Sequence, residues 1–174
     1  MRIELANLEN GKGEFADAYE PDQLDLGDEQ ARLCGPTSIS GKIRLAGTEL
    51  FVNGQIETCV QVDCDRCLKP IQLPVSSDFK LEYIAGSDYE TNHNLELTED
   101  LLSLSVFDGD AIDVDEIVKE QIWLALPTRS LCKPDCKGFC PTCGSDKNLG
   151  DCKCEDREMD PRWAGLKDLM NGKS

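Results

Sequence analysis

The sequence predicts an α+β fold in which an antiparallel meander or barrel-like sheet is covered by one amphipathic helix. Between about residues 37 and 85, apolar and polar residues alternate, which is typical of half-buried strands. Farther along, apolar residues recur every four positions on one face of a predicted helix, at Val114, Val118, Ile122 and Leu126. Six cysteines between residues 131 and 154 predict a C-terminal zinc-knuckle segment, which a short terminal helix follows.

The composition indicates a folded protein without a membrane segment. Of the 174 residues, 40% are hydrophobic and 30% are charged, which is enough apolar material for a packed core. No apolar run approaches the length that spans a bilayer, and the first residues, MRIELANLEN, lack the apolar region of a signal peptide. We therefore expect a cytoplasmic protein. Thiols in that compartment stay reduced, so the ten cysteines are better explained as metal ligands than as disulfides.

The net charge of -16 is unevenly distributed along the chain. Residues 131–174 contain eight basic and eight acidic residues, whereas residues 1–130 contain ten basic and 26 acidic residues. We therefore expect an acidic α+β body, residues 1–130, on which a cysteine-rich zinc-binding segment and C-terminal helix, residues 131–174, pack. An acidic body repels nucleic-acid phosphates, which favours a basic protein partner, or contact with RNA through a local neutral surface. The alternative is that the acidity serves solubility alone.

The first predicted strands lie in the N-terminal half of the body. Residues 1–33 combine a short apolar start with an acidic, loop-like stretch. A strand begins near Thr37, and the dipeptide Asn53-Gly54 favours a type I′ hairpin turn. Residues 56–62 alternate again, so a second strand is expected after that turn.

The following strands are less regular. Pro70 and Pro74 interrupt the next apolar stretch and indicate an edge strand or a bend. Polar residues 86–100 predict a loop, and residues 101–107 alternate as a returning strand would.

Two helices have clear boundaries in the sequence. Asp113 is a good N-cap, Glu116 stands three residues later as in a capping box, and Pro127 ends the helix. Near the C-terminus, Asp160 is a second cap and Gly172 suits the end of the terminal helix.

The sequence CPTCG has the spacing of a zinc knuckle, in which a tight turn brings two thiolates to one side of an ion. A C-x-C pair after an eight-residue loop supplies two more thiolates. We therefore predict a four-thiolate zinc site with the ligands Cys140, Cys143, Cys152 and Cys154. Because C-x-C is less usual than a second C-x-x-C, Cys136 is an alternative ligand in place of Cys152 or Cys154.

A second four-thiolate site is predicted from the remaining paired cysteines. Cys132 and Cys136 are two ligands short of a site, and a C-x-x-C pair follows a predicted strand far upstream. The predicted ligands are therefore Cys64, Cys67, Cys132 and Cys136, which would staple the strands to the end of the helix. The expected cofactor is structural zinc, one or two ions per chain. Cys34 and Cys59 fit neither site and are expected as small, free core residues.

Other cysteine chemistry remains as alternatives. A redox dithiol of Cys64 and Cys67 would normally open a helix in an α/β fold, whereas here the pair follows a strand. An iron–sulfur cluster also uses four thiolates. Catalytic zinc usually has histidine or carboxylate ligands, and the one histidine, His93, lies in a polar stretch and is expected to be solvated. We therefore expect no catalytic residue and no small-molecule substrate.

Basic residues cluster beside the cysteines in the sequence. An RNA-binding patch is one interpretation. The interpretation we favour is that these cations offset the negative charge of four thiolates around a divalent ion. The residues are Arg66, Lys69, Lys133, Lys137, Lys147 and Lys153.

The order of these motifs resembles the YceD family, the large ribosomal RNA subunit accumulation proteins. The resemblance rests on C-x-R-C-L-x-P at Cys64 to Pro70, on the apolar helix ending in ALP, on the cysteine series from Leu131 to Asn148, and on DPRWAGLKDL near the C-terminus. It covers the chain from about residue 37 onward. It implies a bacterial or plastid protein that promotes accumulation of the large-subunit ribosomal RNA, in a family not known for enzymes.

The sequence thus predicts a non-enzymatic ribosome biogenesis factor that binds a basic ribosomal protein or a large-subunit precursor, and touches ribosomal RNA at most indirectly. A thiol oxidoreductase using Cys64 and Cys67 is the alternative from the enzyme class. A zinc-ribbon adaptor for protein interactions, unrelated to ribosomes, is the third hypothesis.

Overall fold

The computed structural model describes residues 1–28, 30–86, 105–107, 110–150 and 152–154. In this part of the chain the protein is mostly sheet with one α-helix. The helix, α1, spans Val114–Ala125, and a short 3-10 turn spans Leu5–Asn7. The strands are β1 (Arg2–Glu4), β2 (Lys12–Tyr19), β3 (Ala31–Leu33), β4 (Thr37–Ala46), β5 (Glu49–Asp63), β6 (Pro70–Ala85), β7 (Ser105–Phe107) and β8 (Ala111–Asp113).

Most strands belong to one open sheet with the order β2-β4-β5-β6-β7, and β3 also pairs with β5. The pairs are antiparallel except for β6 and β7, which run parallel. A separate two-stranded sheet joins β1 to β8, directly before α1. The long strands β4, β5 and β6 are neighbours in chain order, which is the antiparallel arrangement that the alternating pattern indicates.

The hydrophobic core lies between the main sheet and α1. The two-residue period of the strands and the four-residue period of the helix direct their apolar side chains to the same cluster. Burying each large aliphatic side chain contributes about 1.5–3 kcal/mol, so this packing, and not helix propensity, holds α1 on the sheet. On β5 and α1, the side chains with at most 1% exposure are Leu50, Val52, Ile56 and Val60 of the strand and Val114, Val118 and Ile122 of the helix.

The predicted hairpin turn at Asn53-Gly54 is wrong. Both residues lie inside β5, where Gly54 pairs with Gly41 on one side and Phe79 on the other. The turn between β4 and β5 falls at Gly47, whose φ of 67° suits glycine. Gly54 is needed for close packing, because an added Cβ would come within 2.5 Å of the Ser40 carbonyl oxygen.

The N-terminal residues contribute more to the sheet than the sequence indicated. Residues 12–19, which we expected to lie in a segment without a clear strand, form β2 and pair with β4 along their whole length. Only Phe15 and Tyr19 of this strand are buried. Because only two of its side chains are large, apolar and buried, the alternation typical of a strand is hard to recognise in this sequence of small and acidic residues.

The boundaries of α1 match the sequence signals. The Asp113 carboxylate accepts a hydrogen bond of 2.9 Å from the backbone N–H of Asp115, which caps the first turn. The C-cap is Leu126, directly before Pro127. In the sheet, Pro70 is the first residue of β6, and over most of its length this strand pairs only with β5 among the described residues.

Several expectations lie outside the described residues. They are the polar loop after residue 86, His93, residues 101–104 of the returning strand, and the terminal helix after Asp160. Within the described ranges, no helix combines the length and apolar character needed to cross a membrane.

Candidate metal centres

Eight cysteine sulfur atoms lie in two groups of four, and within each group all sulfurs are within 4.8 Å of one another. The body site comprises Cys64, Cys67, Cys132 and Cys136. The C-terminal site comprises Cys140, Cys143, Cys152 and Cys154. Each group could hold one metal ion. Cys136 lies in the body site and does not take the place of Cys152 or Cys154 in the other.

The body site forms where β5 ends and β6 begins. Cys64 follows the last residue of β5, and its N–H donates to the Lys69 carbonyl across the turn at 2.9 Å. The chain returning from α1 is attached to this turn because the N–H of Asp65 donates to the Ser130 carbonyl at 2.9 Å. That contact brings Cys132 and Cys136 against the turn.

The sulfur spacing in the body site suits a tetrahedral ion. Cys64 Sγ lies 3.8 Å from Cys136 Sγ, and Cys67 Sγ lies 3.6 Å from Cys132 Sγ. A tetrahedron with zinc–sulfur bonds of about 2.3 Å has edges of about 3.8 Å. Cys64 and Cys136 are fully buried, whereas Cys132 is exposed. The site is therefore open to solvent on one side only.

The C-terminal site is built on a tight turn of the same kind. The N–H of Gly144 donates to the Cys140 carbonyl at 2.8 Å, and the φ of Gly144 is 72°. The Ser145 hydroxyl lies 3.1 Å from Cys143 Sγ. Cys152 and Cys154 approach this turn from the following loop and complete the group of four.

The thiols of the body site differ in acidity. Burial raises the pKa of Cys64, but backbone N–H groups, that of Cys132 first, outweigh it and lower the pKa to about 6. Burial and then hydrogen bonding with Cys136 raise the pKa of Cys132 to about 12. Without a cation, one sulfur therefore ionises easily while another keeps its proton, and a divalent ion would compensate the charge of all four.

The C-terminal site shows the same contrast. The backbone N–H groups of Cys143 and Thr142 lower the pKa of Cys140 to about 6. Hydrogen bonding with Cys143, followed by burial, raises the pKa of Cys154 to about 12. Thiolates are the ligands that soft and borderline metal ions such as Zn²⁺ prefer, and all eight donors are cysteine sulfurs, which bind a metal ion in the thiolate form. Zinc is therefore consistent with both groups.

Polar contacts connect the two sites. Asn148 lies in the loop of the C-terminal site, yet its Nδ2 donates to Cys136 Sγ of the body site at 3.5 Å. Its Oδ1 accepts from the N–H of Lys137 at 2.9 Å. Lys69 Nζ, beside the body site, lies 2.7 Å from Asp146 Oδ2 in that same loop. Residues 64–69 and 130–150 thus form one lobe, which we call the cysteine lobe.

Sequence reasoning assigned no role to Asn148 or Asp146. Asn148 closed the motif series on which the family resemblance rests, but its spacing does not reveal which sulfur it contacts. Of the clustered cations, Lys69 pairs with Asp146, and Arg66 donates to the Cys136 carbonyl oxygen. These two cations are engaged inside the lobe. That arrangement fits charge compensation around the sites better than a free RNA-binding patch.

Cys34 and Cys59 are not free core residues as expected. The structure joins them in a disulfide with a Cα–Cα distance of 5.3 Å, and both are half-buried. The reason is strand pairing, since Cys34 follows β3 and its N–H donates to the Cys59 carbonyl of β5 at 2.8 Å. Residues opposite each other in a ladder have the spacing that a disulfide requires.

The sequence is similar to a family of known proteins over most of its length. The family model described as "Large ribosomal RNA subunit accumulation protein YceD" matches residues 52–170. An uncharacterized protein of Mycobacterium tuberculosis is 30% identical over 125 residues, which cover 72% of this chain and 58% of the relative. The uncharacterized protein YlbN of Bacillus subtilis is 24% identical over 158 residues, covering 90% of this chain and 87% of the relative.

A plant relative has a more informative name. The chloroplastic "Large ribosomal RNA subunit accumulation protein YCED homolog 1" of Zea mays is 23% identical over 147 residues, covering 71% of this chain and 50% of the relative. The match thus spans little more than half the length of the mycobacterial relative and half that of the plant relative. No solved structure matches the chain.

Proposed function

The chain belongs to the YceD family of large ribosomal RNA subunit accumulation proteins, and on that premise we propose that it is a non-enzymatic factor in biogenesis of the large ribosomal subunit. The observation that carries the proposal is the family match over residues 52–170. This range includes most of β5, all of β6, α1 and both groups of cysteines. The family is named for accumulation of an RNA and not for a reaction.

The charge of the chain supports a basic protein as the direct partner. Residues 1–130 hold 26 acidic and ten basic residues. Such a surface attracts basic ribosomal proteins and repels the phosphates of RNA. The body, residues 1–130, would bind a basic protein of the large subunit or its precursor, and RNA accumulation would follow indirectly from assembly. Residues 131–174 would pack on that body.

We further propose that each cysteine group holds one zinc ion with a structural role. The support is four thiolate donors in each group, which leave no position open for a reacting water. Elemental analysis of purified protein should find two zinc ions per chain. One zinc ion per chain would support only one of the two sites. A chain that contains no zinc after anaerobic purification would refute the metal assignment.

The partner is tested by offering the zinc-loaded protein two ligands at physiological salt. One is the protein fraction extracted from large ribosomal subunits, and the other is the large-subunit RNA freed of protein. We expect retention of basic protein and little retention of RNA. Tight binding of naked RNA without binding of any basic ribosomal protein would contradict the proposed mechanism. Co-sedimentation with large-subunit precursors separates a biogenesis factor from an adaptor unrelated to ribosomes.

One observation favours a thiol oxidoreductase as the second candidate, namely the low pKa of Cys64 in a C-x-x-C pair. Against it, Cys64 is fully buried, which hinders thiol exchange with an external substrate. Thiol titration with and without a chelator separates the two functions. Metal ligands should react only after the metal is removed, whereas a redox pair should react at once and cycle between dithiol and disulfide.

A further inference from the structure

The two C-x-x-C turns have the same backbone form but different residues at the position after the second cysteine. In the C-terminal site, the N–H of Gly144 donates to the Cys140 carbonyl at 2.8 Å, with φ at 72°. In the body site, the N–H of Leu68 donates to the Cys64 carbonyl at 2.9 Å, with φ at 54°. A leucine thus adopts a left-handed backbone conformation at the position where the turn of the C-terminal site has a glycine.

Leucine is unfavourable at position 68, because its backbone is strained there and burial of the side chain does not compensate for the strain. A residue with a Cβ is strained in the left-handed region, which glycine adopts without cost. The strain is not offset by burial, because 60% of Leu68 is exposed. A glycine would satisfy the turn, as Gly144 does in the other site. The side chain of Leu68 therefore serves something other than the stability of the turn.

Leu68 is accompanied by other exposed apolar side chains on the cysteine lobe. Phe139 is 43% exposed and Leu149 is 82% exposed. The segments that carry them are held against the Leu68 turn. An added Cβ on Gly138 would lie 2.8 Å from the Arg66 carbonyl oxygen, and Lys69 pairs with the loop that precedes Leu149. The lobe thus exposes apolar surface close to a strained leucine.

We propose that Leu68 is an apolar anchor by which the cysteine lobe docks on a basic protein surface that contains an apolar pocket. This inference rests on the proposed function and identifies the part of the chain that makes the specific contact. An aliphatic or aromatic side chain that fills a pocket in the partner can serve as the buried anchor of a binding interface.

Charge decides between a protein and an RNA as the partner. The cysteine lobe has two more cations than acids. The segment 151–154, which carries the last two ligands of the C-terminal site, adds one acid and one cation. Each zinc ion with four thiolates adds about two negative charges, so the lobe and this segment together carry about two negative charges when both ions are bound. The rest of the chain is strongly acidic. A nucleic-acid backbone is therefore repelled by both parts of the molecule, whereas a basic protein complements both. The lobe's cations are Arg66, Lys69, Lys133, Lys137 and Lys147, and its acids are Asp65, Asp135 and Asp146.

The experiment compares the zinc-loaded wild-type chain with Leu68→Gly. Each protein is immobilised and offered the protein extracted from large ribosomal subunits, at physiological salt. Leu68→Gly should retain at least about tenfold less of the basic protein that the wild type binds. Its midpoint of urea denaturation should equal or exceed that of the wild type, because glycine relieves the left-handed strain. Leu68→Ala should lose binding as well, without the gain in stability.

The matched control is Leu124→Ala, which removes a leucine of 71% exposure from α1, outside the cysteine lobe. This variant should bind like the wild type. If Leu68→Gly also binds like the wild type, the inference is wrong while the proposed function stands. If Leu68→Gly is less stable than the wild type, Leu68 packs within its own chain and the inference is overturned.

Two further outcomes are decisive. Protein-free large-subunit RNA is offered to the same variants, and RNA retention that depends on Leu68 would replace the basic protein with RNA and refute the inference. If the wild-type chain retains no basic protein at all, the proposed function fails, and the inference, which depends on it, fails too. Comparison of the wild type with the variant therefore separates failure of the anchor from failure of the function.

Discussion

At the scale of single residues, the structure depends on positions where a side chain is either excluded or aimed at a sulfur. Gly41 and Gly54 face each other across β4 and β5, and an added Cβ on either would meet backbone oxygen within 2.5 Å. At Asn148, by contrast, the side chain is required, because it reaches from the loop of the C-terminal site to a sulfur of the body site. Both kinds of position are set by neighbours distant in sequence.

Gly54→Ala is expected to destabilise the fold by about 1–3 kcal/mol. Alanine in a strand is favoured over glycine by about 0.5–1 kcal/mol, but the Cβ would lie 2.5 Å from the Ser40 carbonyl oxygen and 2.7 Å from the Phe79 ring. The backbone oxygen cannot move without disturbing the ladder, so overpacking outweighs the gain in propensity. Urea denaturation measures the change. Gly150→Ala is the control, because a Cβ there meets no atom within 4 Å, and equal stability of the two variants would contradict the argument.

Asn148→Ala is expected to weaken zinc binding at the body site, although Asn148 lies in the loop of the C-terminal site. The variant removes a hydrogen bond to Cys136 Sγ, and loss of such a partner of a metal ligand typically lowers metal affinity by about 10–100-fold. Competition with a chromophoric chelator measures the affinity. Asn53→Ala, an exposed asparagine of β5, is the control. Equal zinc retention by Asn148→Ala and wild type would show that the two sites are not connected through this side chain.

At the scale of elements, α1 is held by its apolar face, by its cap and by one strand. Its buried residues belong to the core cluster, where α1 contacts β6 and, less extensively, β5 and β1, and Asp113 caps its first turn. The Tyr19 hydroxyl of β2 donates to Asp115 Oδ1 at 2.6 Å. Burial, and then this hydrogen bond and the negative charge of Asp115, raise the pKa of Tyr19, which keeps the phenol neutral and donating. Strand β2 is thereby attached to the first turn of α1.

Asp113→Ala is expected to lower the free energy of unfolding by about 1 kcal/mol. The substitution leaves the N–H of Asp115 without its side-chain acceptor and removes a negative charge from the positive end of the helix. Chemical denaturation followed by circular dichroism measures the loss. Asp113→Asn keeps the acceptor oxygen and should stay close to the wild type. A loss of the same size in both variants would show that the charge, and not the cap, matters.

At the scale of the whole molecule, the body site has a structural effect that the C-terminal site lacks. Its ligands come from the end of β5 and from the chain after α1, so an ion there would close a loop of more than 60 residues that contains β6, β7, β8 and α1. The C-terminal site gathers four residues within one short segment. An ion in the body site would therefore hold the cysteine lobe to the sheet and helix, whereas the other ion would order only the lobe.

Removing the two sites should have unequal effects on stability. If a metal crosslink acts on the unfolded chain as a disulfide does, closing the body-site loop contributes about 4.4 kcal/mol and closing the short loop of the C-terminal site about 3 kcal/mol. Cys132→Ser with Cys136→Ser should therefore lower the denaturation midpoint of the whole chain. Cys152→Ser with Cys154→Ser should loosen only the lobe, as hydrogen exchange would show. Equal protection of the strands in both variants would contradict this division.

Acid should release zinc from both sites, because a thiol must lose its proton to bind the ion and protons compete with the metal as the pH falls. A zinc-sensitive dye, added during acidification, measures the release. Each released ion should be accompanied by newly reactive thiols, and addition of zinc at neutral pH should reverse both signals. Thiols that react fully at neutral pH without any metal loss would argue against the sites.

The pattern along the chain was sufficient for α1, for the antiparallel body and for the grouping of the eight cysteines into pairs. These features depend on residues a few positions apart, whose spacing follows the period of a helix, a strand or a tight turn. Asn53-Gly54, Cys34 with Cys59, Asn148 and Leu68 needed the tertiary structure. Each depends on a neighbour that strand pairing or loop packing brings near. Such contacts outweigh the conformational preference of the local sequence. At Asn53-Gly54, for example, close packing of Gly54 against Gly41 outweighs the preference of this dipeptide for a turn.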